Sequence, residues 1–549
     1  MEKLKAKLFS VMKTYTKEQF IKDVIAGIIV AIIALPLSIA LALASGVTPE
    51  KGIYTAITAG FVISFLGGSR VQIAGPTAAF ATIVAGIVAE NGMDGLIIAT
   101  ILAGIILIAM GLLRLGNLIK YIPYTITTGF TSGIAVTILV GQIKDFLGLT
   151  IVTEEPLIET MDKLKAVFDF IHTINWEAVI VGVVCLAILI VWPMFFKKIP
   201  PSLIAVLVGI AMVKGLHMNV NTIGDLYEIS NKLPSLSVPQ LSFDNVRNVL
   251  PDAFTIAILA AIESLLSCVV ADGMVNSRHR SNMELVAQGA GNITSALFGG
   301  IPATGAIART AANVKNGGRT PIAGMVHSVT LLLILVVLMP YAALISMPTI
   351  AAILFMVAYN MCEWRKFVHL CKTAPKSDII VLVTTFVLTV VFDLVVAIEV
   401  GILLAAILFM KRMSDVTEVE GWKYIDEDDD PDSLSLREVP KHTHVYEISG
   451  PMFFAAADKI LNISLDEKDT CLILRMRSVN AIDATAMHSL EELQAKCEKK
   501  KITLILSHVN EQPLHVMQKA GFDQKVGEEN ICVHIDDALK RAEVLQANR

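Results

Sequence analysis

The 549-residue chain is 54% hydrophobic and only 17% charged, with a formal net charge of -5. Its mean hydropathy of +0.65 excludes a soluble protein of that length, and no basic stripe argues for nucleic acid. Seven cysteines form no Cys-x-x-Cys pair, so neither a disulfide frame nor a zinc site is indicated.

The amino terminus carries Lys3, Lys5, Lys7, Lys13, Lys17 and Lys22 ahead of an apolar run over 24–44. That run exceeds the roughly 7–15 residues of a signal-peptide core. It reads as a retained first span. Apolar runs recur to about Met413 and then stop. Fourteen segments are predicted, over 23–44, 52–67, 71–89, 95–113, 122–147, 176–195, 200–214, 250–272, 282–298, 304–315, 321–339, 341–358, 378–394 and 396–412.

The third and tenth segments are broken. In the third, an extended run from Ser69 meets Gly75-Pro76 and turns helical after Thr77 and Ala78. In the tenth, Gly300-Ile301-Pro302-Ala303-Thr304-Gly305 leads into a stub helix that ends at Gly317-Gly318. Bare backbone in lipid is prohibitive, so such breaks must line a protein cavity. Paired breaks in corresponding positions of two halves point to the substrate site of an inverted-repeat transporter, and the tenth segment stands seven places after the third, as a seven-plus-seven repeat requires.

Loop charges orient the chain. The inside loops carry Arg114 and Lys120, Lys197 and Lys198, Arg278 and Arg280, Lys315 and Arg319, then Arg365, Lys366, Lys372 and Lys376. The outside loops hold Glu90 and Asp94, Glu154, Glu155 and Glu159, then Asp225 and Glu228. Lys163, Lys165, Lys232 and Arg247 run against the rule in the two longest outside loops. Both termini are expected in the cytoplasm, with the chain in the cell's inner (plasma) membrane. Residues 154–170 read as an amphipathic surface helix.

A half-helix starting near the bilayer midplane aims unpaired N–H groups and a positive dipole end at whatever precedes it. Two such termini facing each other cradle a small anion. The candidate substrate-binding residues are Thr77 and Ala78 at the first terminus, with Ala308, Arg309 and Thr310 at the second; Arg309 adds a fixed charge. Glu263 is a lone carboxylate within an apolar helix, by default a functional residue, and Ser267 lies one turn on along the same face. Together they are candidates for taking up a coupling proton or sodium ion; the structural alternative for Glu263 is an ion pair with Arg309, and the two readings are compatible. Arg278, Arg280 and Glu284, at the inside mouth, read as structural.

Pro49-Glu50-Lys51-Gly52-Ile53-Tyr54-Thr55-Ala56 with Gly67-Gly68-Ser69-Arg70, the run Ala306-Ile307-Ala308-Arg309-Thr310, Asn313, and Gly317-Gly318-Arg319-Thr320 resemble the sulfate permease (SulP) family. These are the prokaryotic relatives of solute carrier family twenty-six. Lys51 and Ile53 depart from the commoner signature, and Leu37 stands where animal members often carry glutamine. The resemblance implies a 7+7 inverted repeat in which a core domain (spans one to four and eight to eleven) moves against a gate domain (five to seven and twelve to fourteen). A homodimer is expected.

After Met413 the composition changes. A charged linker around Glu427-Asp428-Asp429-Asp430-Pro431 precedes strands predicted at 445–448, 471–476, 502–507 and 532–535, alternating with helices at 455–461, 485–499 and 513–520. That is a small α/β domain, and it resembles a STAS domain, a phosphate-regulated or partner-binding module in its soluble relatives, with Asn480-Ala481-Ile482-Asp483-Ala484-Thr485-Ala486 as its signature loop. Ala484 stands where soluble relatives carry a phosphorylated serine; Thr485 is a weak substitute. The expected domains are 1–413 (transmembrane), 414–440 (linker) and 441–549 (STAS-like).

No catalytic constellation, cofactor motif or nucleotide-binding loop is present. The expected function is secondary active transport of a small oxyanion (sulfate, bicarbonate or a dicarboxylate). The alternatives are a passive anion channel, a nucleobase carrier of the same fold, and a membrane-tethered sensor with a cytoplasmic partner.

Overall fold

The computed structural model describes residues 4–117, 123–152, 157, 159–196, 199–237, 239, 243–392, 394–421, 439–461, 463–465 and 468–547. Lys120, Glu154, Glu155, Lys197, Lys198 and the charged linker at 427–431 lie outside them. The chain divides into two compact units, Met1–Ile402 and Leu403–Arg549.

Helical or broken elements stand at all fourteen predicted segments, the last of them crossing the boundary between the two units. They are α1 (Lys17–Ala44), α2 (Pro49–Leu66), a break with β1 (Ala74–Gly75), α3 (Ala81–Leu112), α4 (Tyr124–Leu147), α5 (Trp176–Phe195), α6 (Pro201–Gly215), α7 (Phe243–Val275), α8 (Ser281–Leu297), β2 (Thr304–Gly305) with α9 (Ile307–Lys315), α10 (Pro321–Ala342), α11 (Met347–Cys362), α12 (Lys376–Val391) and α13 (Leu394–Val416). Helix α3 holds two segments, because Gly92 at φ +66° kinks it in a conformation that L side chains rarely adopt. Among the described residues, seven helices are long and apolar enough to cross a bilayer alone; several of the others are short or broken. A helix at Thr160–Asp169 lies within the predicted outer amphipathic stretch.

Packing sorts the spans into two groups. Helix α8 packs on α2 and α3, α7 on α3, and α10 on α1 and α2. Separately, α4 packs against α11 and α12, and α5 against α6 and α11. These groups are the expected core and gate. Small residues bring the core helices close: a Cβ on Gly104 or Gly289 would strike the backbone of the facing helix.

In the second unit a five-stranded sheet has the order β3 (Glu418–Gly421), β4 (Thr443–Ser449), β5 (Cys471–Ser478), β6 (Thr503–Ser507), β7 (Ile531–Cys532). The first pair is antiparallel and the rest are parallel. Helices α14 (Phe454–Leu461), α15 (Ala484–Lys499), α16 (Glu511–Lys519), α17 (Phe522–Val526) and α18 (Ile535–Ala547) accompany it. Separate apolar clusters form around Leu472, Leu474 and Leu490, and around Ile473, Ile505 and Leu539.

Two details differ from the sequence reading. Residues 418–421, assigned to the linker, form the edge strand β3, and the chain past Cys532 turns into α18 instead of extending the last strand. Asp536 and Asp537 in that helix's first turn suit a helix N-terminus and not a strand.

Candidate functional site

The two breaks meet. Strands β1 and β2 pair antiparallel, Ala74 opposite Gly305 and Gly75 opposite Thr304, and the amide of Ala306 continues the ladder by donating to Ile73 O at 2.8 Å. Each break thus satisfies the other's backbone, which lets extended chain exist at that depth. Beyond the pairing, a single 3-10 turn at Ala78–Phe80 opens α3 with Thr77 as its N-cap, and Ala306 is the N-cap of α9. The two helix N-termini therefore start from one two-stranded platform.

Buried polar residues of α8 hold that platform. Glu284, Gln288 and Asn292 recur at intervals of four and are all buried. Glu284 Oε2 accepts from the amides of Gly68 and Ser69 at 2.8 and 3.1 Å, and Oε1 accepts from the Gln72 and Gln288 side chains at 2.8 and 2.9 Å. Asn292 clamps Ala303 through both backbone groups, at 2.8 and 2.9 Å. Helix α8 thus grips the first break at one end and the second farther along. Glu284 is structural, as its position suggested, but it anchors the first break itself.

Arg309 reaches across from α9. Its side chain is 2% exposed, and Nη2 donates to Pro76 O at 2.8 Å. Its Nε and Nη1 have no hydrogen-bond partner among the described residues. Gly75 is what admits it, since a Cβ there would run into Arg309 Nη1. Ala308 is exposed, Thr77 half-buried and Ala78 buried. Thr310 turns inward: its amide donates to Ala306 O at 2.9 Å, and its hydroxyl accepts from the Ile73 amide at 3.0 Å.

Glu263, on α7, joins the same site. Its Oε2 accepts from Thr77 Oγ1 at 2.9 Å and from Thr304 Oγ1 at 2.8 Å. Arg309 is not its partner. Ser264, next to it, accepts from the Gly305 amide at 3.1 Å. Ser267 is buried, and its hydroxyl has no hydrogen-bond partner among the described residues.

Sequence reasoning missed Thr304, Ser264 and the α8 clamp. Thr304 stands in the quoted stretch as a hydroxyl residue just before the second turn, and the polar positions of α8 recur at i, i+4 and i+8, so both signals were visible. Among the described residues, no cluster of three or more His, Cys, Asp or Glu side chains is arranged to hold a metal.

A multi-pass helical bundle with two half-helices rising from crossed strands, joined to a STAS-type α/β unit, defines a class: membrane transporters, not enzymes. The chain belongs to the sulfate permease family, whose model matches residues 20–385, and residues 435–538 match the STAS domain model. A putative sulfate transporter of Bacillus subtilis, YvdB, is 39% identical over 96% of this chain and 98% of its own. The bicarbonate transporter BicA of Picosynechococcus is 29% identical over 95% and 94%. The solved structure of the murine Solute Carrier 26 family member A9 anion transporter matches with a TM-score of 0.87 over 98% of this chain and 94% of that one, at 19% identity, a likeness of fold.

Proposed function

We propose that the protein is a secondary active carrier of a small oxyanion (sulfate, bicarbonate or a dicarboxylate), driven by a proton or sodium gradient. The anion sits between the half-helix starts at Thr77-Ala78 and Ala308–Arg309, where the free N–H groups, the positive helix ends and Arg309 converge. Alternating access comes from the core helices moving against the gate. Transporters of sulfate and of bicarbonate among the relatives support the substrate class. The reading includes a homodimer, cytoplasmic termini in the plasma membrane, and a STAS-like domain that binds a cytoplasmic partner.

One observation carries the coupling: the hydroxyl that Thr77 would offer an anion is already donated to Glu263. A carboxylate holding two hydroxyls has less need of them once it takes up a proton or a sodium ion. Cation uptake at Glu263 then frees Thr77 Oγ1 for the anion, so the two ligands favour one another. Ser267, buried one turn along α7, can supply a further oxygen for the cation.

Glu263→Gln tests this reading. Glutamine keeps hydrogen-bond acceptance but neither titrates nor attracts a cation. In proteoliposomes the variant should bind substrate with affinity within about threefold of the parent yet lose gradient-driven accumulation. Accumulation at the parental rate under an imposed proton or sodium gradient would move the coupling role elsewhere. Uptake of labelled sulfate, bicarbonate and succinate in the same vesicles identifies the substrate, and labelled uracil tests the nucleobase alternative.

A further inference from the structure

Between α11 and α12 runs a ten-residue helix, Trp364–Thr373, whose pattern sets it apart from the spans beside it. Residues Phe367, Leu370 and Cys371 recur at helical spacing and are half-buried. The Phe367 ring lies 5.2 Å from that of Phe386 on α12, so this face is seated on the bundle. The opposite face is exposed and basic, with Arg365, Lys366, His369 and Lys372, and Lys376 follows at the start of α12. Glu363, at φ +42°, turns the chain from α11 into this helix. That left-handed conformation is unfavourable for a side-chain-bearing residue and is held here at a sharp corner.

Between the basic and the seated faces lie Trp364, 47% exposed, and Val368, 40% exposed. Tyr359 and Tyr124, each 55% exposed, are on adjoining segments, and Trp364 Nε1 points to Tyr359 Oη at 3.5 Å. Exposed aromatic rings with polar tips, gathered at one level beside a bilayer-spanning bundle, mark the membrane–water interface. An amphipathic helix with cations on its polar face and tryptophan at its edge lies in that plane.

The cations are not all spent within the protein. Lys366 is held by both oxygens of Glu363, at 2.7 and 2.9 Å. Arg365 lies over the Trp364 ring, 5.6 Å from its centroid. Arg365, Lys372 and Lys376 have no ion pair among the described residues. Three such cations at the level of an aromatic belt match the phosphate of a lipid headgroup in charge and in depth.

We propose that helix Trp364–Thr373 is a docking element for anionic phospholipid: the aromatic edge enters the headgroup layer while Arg365, Lys372 and Lys376 hold lipid phosphates. The helix packs against α4 and α12, both in the gate group. Anionic lipid would therefore fix the gate in the bilayer, leaving the core as the moving part. Only this last consequence rests on the transport reading; the lipid site does not.

The full-length protein in nanodiscs of phosphatidylcholine with about 30% phosphatidylglycerol provides the test, with native mass spectrometry reading which lipids stay bound. The parent should retain phosphatidylglycerol in preference to phosphatidylcholine. Each cation removed should lower that preference about fivefold, the worth of one basic residue at a charged membrane surface. Arg365→Gln/Lys372→Gln/Lys376→Gln should therefore lose nearly all of it, with substrate affinity and detergent melting temperature unchanged. An undiminished preference in the triple variant overturns the proposal, as does equal displacement of the lipid by free glycerol phosphate, which would make the site one for a soluble anion. Should the triple variant not fold, Lys372→Glu alone and the parent in about 0.5 M salt decide it. Screening should erase the preference, and a salt-insensitive preference contradicts a site built on charge.

Discussion

Arg309→Ala should weaken anion binding about 10- to 150-fold and leave a folded, membrane-inserted protein. The guanidinium is buried, spends one N–H on Pro76 O, and has two nitrogens without a partner. Among the described residues no carboxylate pairs with it, since Glu263 is turned toward Thr77 and Thr304. A buried charge lacking a partner is costly, so an arriving anion gains what the protein leaves unmet. A hydrogen bond to a charged group contributes about 1.5–3 kcal/mol, which converts to the range given. Alanine at this position removes one backbone contact but also three buried donor groups, so the melting temperature should move little. Calorimetric titration of substrate, alongside thermal unfolding, measures both. Parental affinity in the variant would make Arg309 a strut between the two breaks and nothing more.

The substitution with the next largest effect is at position 77. Thr77 is half-buried, extended at φ -125° and ψ 157°, and caps the turn that starts α3. Pro76 has no amide to lose at this helix start, and the free amides beyond it are the proposed anion donors, whose space a larger side chain at position 77 would enter. Thr77→Trp fills that space with an indole and should abolish substrate binding. Thr77→Ser keeps the hydroxyl that Glu263 accepts and removes only a methyl, so affinity should stay within about threefold. Binding of substrate by the tryptophan variant at parental affinity would put the anion elsewhere; a severe loss in the serine variant would mean that shape, not the hydroxyl, matters there.

Much of this architecture was legible in the sequence because membrane segments announce themselves by length and apolarity, and breaks by Gly-Pro where a helix should continue. Glu263 and Arg309 stood out as charges that lipid does not tolerate. What could not be read was partnership. The sequence left an ion pair with Arg309 open as an alternative for Glu263; the structure turns it to two threonine hydroxyls, because the paired strands bring Thr77 and Thr304 to the same carboxylate. Thr310, beside Arg309, looked equally available, yet helical geometry carries it round to the Ile73 amide. The α8 clamp was visible as a pattern but not as a contact: Glu284, Gln288 and Asn292 recur every four residues along one helix face, and only the fold shows that this face meets the two breaks. In the second unit, strand β3 was missed because Glu418-Val419-Glu420-Gly421 adjoins a charged stretch and pairs along one edge only.

The most direct test of the central claim is the position of a bound anion. An electron-microscopy structure of the protein with saturating substrate should place the charged group between the Thr77 N-cap and the first turn at Ala308–Arg309, within hydrogen-bond reach of the free amides. Density for the anion only at the inner mouth, beside Arg278 and Arg280, would contradict the account.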